Sequence, residues 1–128
     1  MKTNVLKDKK ILICIKVKTK SSNGFVSYDY MPIDDKGKKW AYYKQLSASL
    51  FFASNQTNLK EECFFRVNYH SYLKPNKASD LYIIYNDVLY SVTRVDDYEG
   101  YKSDISLYAR YDNTKNIKVI PFDKNLLT

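Results

Sequence analysis

A period of two runs through most of the chain. In residues 11–19, "ILICIKVKT", Ile11, Ile13, Ile15 and Val17 fall on one side while Lys16 and Lys18 fall on the other, as a strand with one buried face requires. A turn at "SSNG" leads to Phe25, Val26, Tyr28 and Tyr30, which support a second strand ended by Met31-Pro32 and "DDKGKK". Residues 40–46 return as a third strand. Farther on, Cys63, Phe65, Val67 and Tyr69 alternate with Phe64, Arg66, Asn68 and His70, predicting one apolar and one mostly polar face. "SYLKPNKASD" then reads as a ten-residue loop.

Residues 80–100, "DLYIIYNDVLYSVTRVDDYEG", read as a hairpin. With Asn86-Asp87 as its two-residue turn, Tyr85 pairs with Val88, Ile83 with Tyr90 and Leu81 with Val92, which puts all six on one apolar face. The other face, Tyr82, Ile84, Leu89, Ser91 and Thr93, is mixed. After "DDYEG", Ile105, Leu107 and Ala109 should face in and Asp104, Ser106, Tyr108 and Arg110 out. Residues 117–120 form a possible edge segment stopped by Pro121. Residues 47–58, "SASLFFASNQTN", fit either a short helix capped by Ser47 or a loop exposing Phe51 and Phe52. Six or seven short strands with at most one short helix predict an all-β fold, a small antiparallel barrel or sandwich. We expect one domain over residues 1–128, with its core at about 9–112 and a C-terminal extension at 113–128.

Composition narrows the function. A chain of 128 residues that is 45% apolar can bury one ordinary core. Its longest apolar run, "ILICI", is far below the roughly 20 residues needed to span a bilayer, so no membrane partner is expected. The basic start leads into "KVKTK" rather than a small-residue cleavage site, which argues against a signal peptide. Two separated cysteines and a single histidine, His70, exclude the common zinc patterns; Cys14 and Cys63 read as small buried thiols, and no cofactor is expected. Nucleophilic catalysis has little material, because His70 is the sole imidazole and the paired acids Asp34-Asp35, Glu61-Glu62 and Asp96-Asp97 lie in turns or at strand positions facing opposite ways. The three glycines are isolated, so there is no phosphate-binding loop and no enzyme is expected.

The net charge of +7 is uneven: residues 1–60 hold twelve lysines against four acids, and residues 61–128 hold nine basic residues against ten acids. Such asymmetry suits a face toward polyanion or an acidic protein, although lysines that merely keep the chain soluble look the same. Two classes follow. A single-stranded nucleic-acid-binding barrel would stack bases on aromatics and follow the backbone with lysines, but here the lysines cluster early and the aromatics late. A structural interaction module would use the thirteen tyrosines and the "SLFF" stretch to bury surface against neighbours.

The succession "ILICIKVKT", "WAYYKQLSASLFFASN", "CFFRVNYHSYL" and "LYIIYNDVLYSVTRVDDYEGYKSDISLYAR", with Phe64, Arg66, Tyr69, Tyr90, Val92 and Val95 at matching places, resembles the head-tail joining family of tailed phages, the head-closure or stopper proteins of the neck. The resemblance implies a non-catalytic barrel that self-associates into a ring in the assembled neck. Its partners would be the portal, adaptor and tail proteins of the same phage, and it would be made in the host cytoplasm and carried in the virion. It makes residues 18–39 a candidate channel or DNA-facing loop, with Lys18, Lys20, Asn23, Lys36, Lys38 and Lys39 in non-specific contact with packaged DNA. Phe51, Phe52, Tyr82, Tyr98 and Tyr108 are its candidate subunit or partner contacts.

Overall fold

The computed structural model describes residues 6–20, 23–46, 61–100, 103–112 and 117–127. It contains seven strands, β1 (Lys9–Lys20), β2 (Val26–Pro32), β3 (Lys39–Gln45), β4 (Cys63–Val67), β5 (Leu81–Tyr85), β6 (Val88–Asp96) and β7 (Ile105–Tyr111). Two short 3₁₀ turns, Pro75–Asp80 and Lys124–Leu126, are the only helical turns among the described residues. The fold is all-β, as the alternation requires. Strands β1, β3, β4, β7, β6 and β5 pair in that order, all antiparallel, and β5 pairs back onto β1 to close a six-stranded barrel.

β1 is long enough to serve two structures. Residues 9–11 pair with β3 and residues 12–15 with β5 inside the barrel wall. From Cys14 onward β1 pairs with β2, and Lys16–Lys20 have β2 as their only strand partner. Asp29, Tyr30 and Met31 of β2 are buried on the barrel, while the exposed start of β2 and the end of β1 form a two-stranded arm beyond it.

The interior is filled by the inward phase of each strand. Ile11, Ile13, Phe65, Val67, Leu81, Ile83, Ile105 and Leu107 are each at most 1% exposed. A six-stranded barrel is narrow, and the fully buried small residues Ala41, Cys63 and Ala109 leave room for Phe65. The Phe65 ring meets Tyr43 at 5.1 Å, Tyr90 at 5.5 Å and Tyr85 at 5.7 Å between centroids. In the hairpin, Asn86 and Asp87 take φ of 51° and 61°, and Ile83 pairs with Tyr90 and Tyr85 with Val88 as expected. Positive φ at both central positions matches the right-handed twist of the flanking strands.

Four local expectations change. The outer face of β1, β5 and β6 is a second apolar cluster rather than a mixed surface: Cys14, Tyr30 and Leu89 are buried there, with Leu12, Tyr82, Ile84 and Ile117 packed on them. Its cover is the C-terminal segment, where Tyr30 donates its N–H to the Lys118 carbonyl (2.9 Å) and accepts from the Ile120 N–H (3.0 Å) in a parallel bridge. Ile120, Phe122 and Leu127 go on to pack against the main core. The stretch read as a plain loop holds the Pro75–Asp80 turn and buries Leu73 and Ala78. β4 stops at Val67, leaving Tyr69 41% exposed. Ser106, expected outside, is fully buried because the turn carrying Tyr98 folds over it, with the two hydroxyl oxygens 2.7 Å apart.

Candidate interaction surfaces

The residues named from sequence for DNA contact fall into two places. Lys18 and Lys20 lie on β1 and Asn23 at its turn, all on the arm rather than in a loop. Lys16 lies with its Nζ 4.7 Å from the Tyr28 ring centre and 5.5 Å from Tyr82, and Thr19 and Ser27 join the two strands through their hydroxyls at 2.8 Å. The apolar residues near the tip are open: Phe25 is 72% exposed, Tyr28 50% and Val26 48%. The arm is thus a ribbon with lysines along one edge and aromatic and apolar groups along the other.

Lys36 and Lys38 stand exposed on the connection between β2 and β3, whereas Lys39 opens β3 and pairs with Asp34 at 2.6 Å. Asp34 also accepts the Lys36 N–H at 3.0 Å and meets His70 Nε2 at 3.0 Å. Burial pushes the Asp34 carboxyl up, but hydrogen bonds from Lys39, Lys36 and His70 and the Lys39 charge outweigh it and hold the group below the usual carboxylate value. The cluster ties the β2–β3 connection to the segment after β4, so Lys39 is a structural cation. His70, which was expected at a strand end, serves as a pin between two loops.

A third surface is the outer wall of β3, β4, β7 and β6. Tyr42 pairs with Arg66, Phe64 with Tyr108 and Arg66 with Ser106 across neighbouring strands, which sets their side chains in rows. Tyr42, Phe64 and Tyr108 form a line, with ring centres 6.0 Å and 5.4 Å apart. Arg94 lies over Tyr108 at 3.8 Å and is held by Glu61 through two hydrogen bonds of 3.0 Å and 3.2 Å. The Glu61 partnership holds the Arg94 guanidinium above its ordinary value against the opposing effect of burial. Arg66 donates from Nε to Ser106 (3.2 Å) and from a terminal nitrogen to the Tyr98 hydroxyl (3.0 Å), between the faces of Phe64 and Tyr98. Tyr98 and Tyr108, named from sequence, therefore share this wall, whereas Tyr82 lies on another face, edge-on to Tyr30 at 5.4 Å. Phe51 and Phe52 lie outside the described residues.

The sequence reading set Phe64 and Arg66 on the outer face of their strand, as observed, but named none of Tyr42, Phe64, Arg66 and Arg94 as contact residues. Outward phase in the alternation was the available signal for Tyr42, Phe64 and Arg66, whereas Arg94 shares the phase of Tyr90 and Val92 and is turned outward by a β-bulge between Val92 and Arg94. All three arginines of the chain, Arg66, Arg94 and Arg110, thus lie on β4, β6 and β7. Trp40 was missed too: it is 54% exposed, carries Lys10 Nζ at 4.8 Å and lines an open groove of about 660 Å³ with Lys9, Lys38, Tyr85 and Val119. Among the described residues no group of three or more His, Cys, Asp or Glu is placed to hold a metal. Burial pushes both thiols up to about 12, helped at Cys63 by the nearby Glu62 charge, which makes them poor nucleophiles. No helix among the described residues is long and apolar enough to cross a membrane.

No protein-family model and no curated protein matches the chain. Solved structures do share its fold. The solution structure of protein SF1141 from Shigella flexneri 2a superposes with a TM-score of 0.59 at 13% identity, covering 84% of this chain and 94% of that one. A chain of the virion of the native gene transfer agent particle superposes with a TM-score of 0.52 at 12% identity, covering 84% and 96%. At such identities the likeness is one of fold, and it extends over nearly the whole of both neighbours.

Proposed function

We propose that this chain is a structural, non-catalytic protein of a tailed phage or phage-like particle. In that role it joins head to tail, closing the capsid below the portal and adaptor after DNA packaging and presenting the surface on which the tail docks. The observation that carries this reading is the closed barrel itself, whose likeness extends over 96% of a chain from a virion particle. The division of surfaces supports it: a basic arm on one side and an aromatic, arginine-bearing wall on another suit a subunit that meets several neighbours at once. In this reading copies form a ring in the neck. The arm lysines Lys18 and Lys20 lie toward packaged DNA or an acidic adaptor surface, and Lys36 and Lys38 add to the same field. The protein is made in the host cytoplasm and ends in the virion.

The test is a particle lacking this chain. Heads that package DNA but lose it, or that fail to join tails, are the expected outcome, with both defects restored by the wild-type chain supplied in trans. Particles that keep DNA and join tails normally without it would overturn the reading.

A second reading, a single-stranded nucleic-acid-binding barrel, draws on the exposed Trp40 beside Lys9, Lys10 and Lys38. It expects an oligonucleotide to bind at low salt and Trp40→Ala to weaken that binding by about tenfold, the scale of one lost stacking contact. Binding unchanged by that substitution would remove it.

A further inference from the structure

Among the described residues, Arg66 is a guanidinium without a carboxylate partner. Arg94 on the same wall is neutralised by Glu61, whereas the described partners of Arg66 are two neutral hydroxyls, Ser106 and Tyr98. Both hydroxyls are themselves fixed. Ser106 is fully buried, and Tyr98 sits in a left-handed turn with φ of 52°, its N–H donated to Asp96 Oδ1 at 2.9 Å. The fork is therefore held in one orientation between two ring faces, with Nε and one terminal nitrogen engaged and the remaining N–H groups uncommitted among the described residues. Arg66 itself is only half-buried, so an incoming group can reach it.

We propose that Arg66 is the anchor of a docking site for a carboxylate side chain of a partner protein, and that Tyr42, Phe64 and Tyr108 supply the apolar contact around it. A half-buried, pre-oriented guanidinium gains most from a planar carboxylate that accepts two parallel hydrogen bonds. Arg and Tyr in adjacent rows are also the residues that carry binding energy at the centre of protein interfaces. The surroundings select against nucleic acid. Glu62 just before β4 and Asp96 at the end of β6 stand beside the same wall, so an extended polyphosphate meets repulsion that a single carboxylate among apolar residues avoids. The inference deepens the neck reading and rests on it for where the partner is met, since it names the chemistry of one contact.

The experiment follows the Arg66 Nε–H resonance of the full chain during titration with an end-blocked hexapeptide of alternating glutamate and leucine. Controls are the glutamine–leucine counterpart and a thymidine hexanucleotide. The glutamate peptide should shift Arg66 saturably and bind at least about tenfold tighter than either control, the difference expected for a charge-assisted pair over a neutral one. Arg66→Lys, which keeps the charge and loses the fork, should weaken binding by a similar factor. Tyr98→Phe, which keeps both fold and charge and frees the guanidinium, should weaken it severalfold. Equal binding of the two peptides, tighter binding of the oligonucleotide, or wild-type affinity in both variants would each overturn the proposal. Because the titration reads the wall alone, particles that assemble without this chain would remove the neck reading and leave the wall site standing.

Discussion

The Nε2 of His70 lies 3.0 Å from Oδ2 of Asp34, while Nδ1 of the same ring accepts the N–H of Tyr72 at 3.1 Å. With Nδ1 accepting, Nε2 is left to donate to Asp34. Asp34 supplies the anion that both Lys39 and His70 meet. Its carboxyl is held below the ordinary value, so its contribution is full above pH about 4 and is lost as pH falls through the depressed value. Asp34→Asn should lower stability at pH 7 by about 1–2 kcal/mol, the scale of hydrogen bonds to a charged group. It should also flatten the acid side of the profile. Urea unfolding from pH 7 to pH 3 checks this, and curves that stay parallel would show that Asp34 does not set the acid limb.

The Asn86-Asp87 turn places a non-glycine residue at φ 61°. A left-handed backbone costs a β-carbon-bearing residue about 1 kcal/mol, and Asn-Gly is the favoured pair for this turn. Asp87→Gly should raise stability by about 0.5–1 kcal/mol with the hairpin register unchanged, measured by thermal unfolding and by the cross-strand contacts of Ile83 with Tyr90. Destabilisation would mean that the Asp87 side chain contributes more than its strain costs.

This hairpin was most legible near its turn, because a two-residue turn and the alternation that flanks it fix register together; farther along β6 a β-bulge between Val92 and Arg94 breaks the alternation. The barrel class followed from the same signal repeated in β1, β3, β4 and β7. What the alternation could not carry is anything decided by a distant segment. Leu89, Ile84 and Tyr82 look like a mixed outer face until residues 117–120 lie over them. Ser106 looks exposed until the Tyr98 turn closes on it. The arm was hidden for a related reason. A strand of twelve residues reads the same whether its second half has neighbours on both edges or on one. Of the interaction surfaces, Tyr98 and Tyr108 were visible as outward tyrosines, but the arginine rows beside them arise only from the pairing of β4, β7 and β6.

Phe65 is fully buried and touches three tyrosine rings, so truncation opens a void that the closed wall cannot collapse. Phe65→Ala should cost about 3–5 kcal/mol and Phe65→Leu clearly less, by the usual cost of large-to-small changes in a core. Chemical unfolding of the two variants measures this. A cost below about 1 kcal/mol for alanine would mean that the interior repacks freely.

Cys14 and Cys63 are buried and their thiols are pushed up to about 12, so neither presents a thiolate near neutral pH. At pH 8 an aromatic disulfide reagent should modify both thiols only as fast as the barrel opens, and 6 M guanidinium should release both at once. Rapid modification of one thiol in the folded protein would place a local opening at its strand.

The arm makes the sharpest separation between fold and function. Its tip is exposed, with Phe25 at 72%, and Lys18 projects from a stretch of β1 that pairs with β2 alone. A two-stranded ribbon adds little to the stability of the barrel beneath it, so Lys18→Gln and Phe25→Ser should each change unfolding free energy by less than about 0.5 kcal/mol. If the arm meets packaged DNA or a neighbouring subunit, the same substitutions combined should cut the yield of DNA-filled, tailed particles in a complementation assay by tenfold or more. The share of the defect that comes from Lys18 should shrink as ionic strength during assembly rises, since salt screens the very contact that the substitution removes. Normal particle yield from a stable double variant would remove the arm from the assembly contacts. A loss of yield that tracked a loss of stability would make the arm a part of the fold instead.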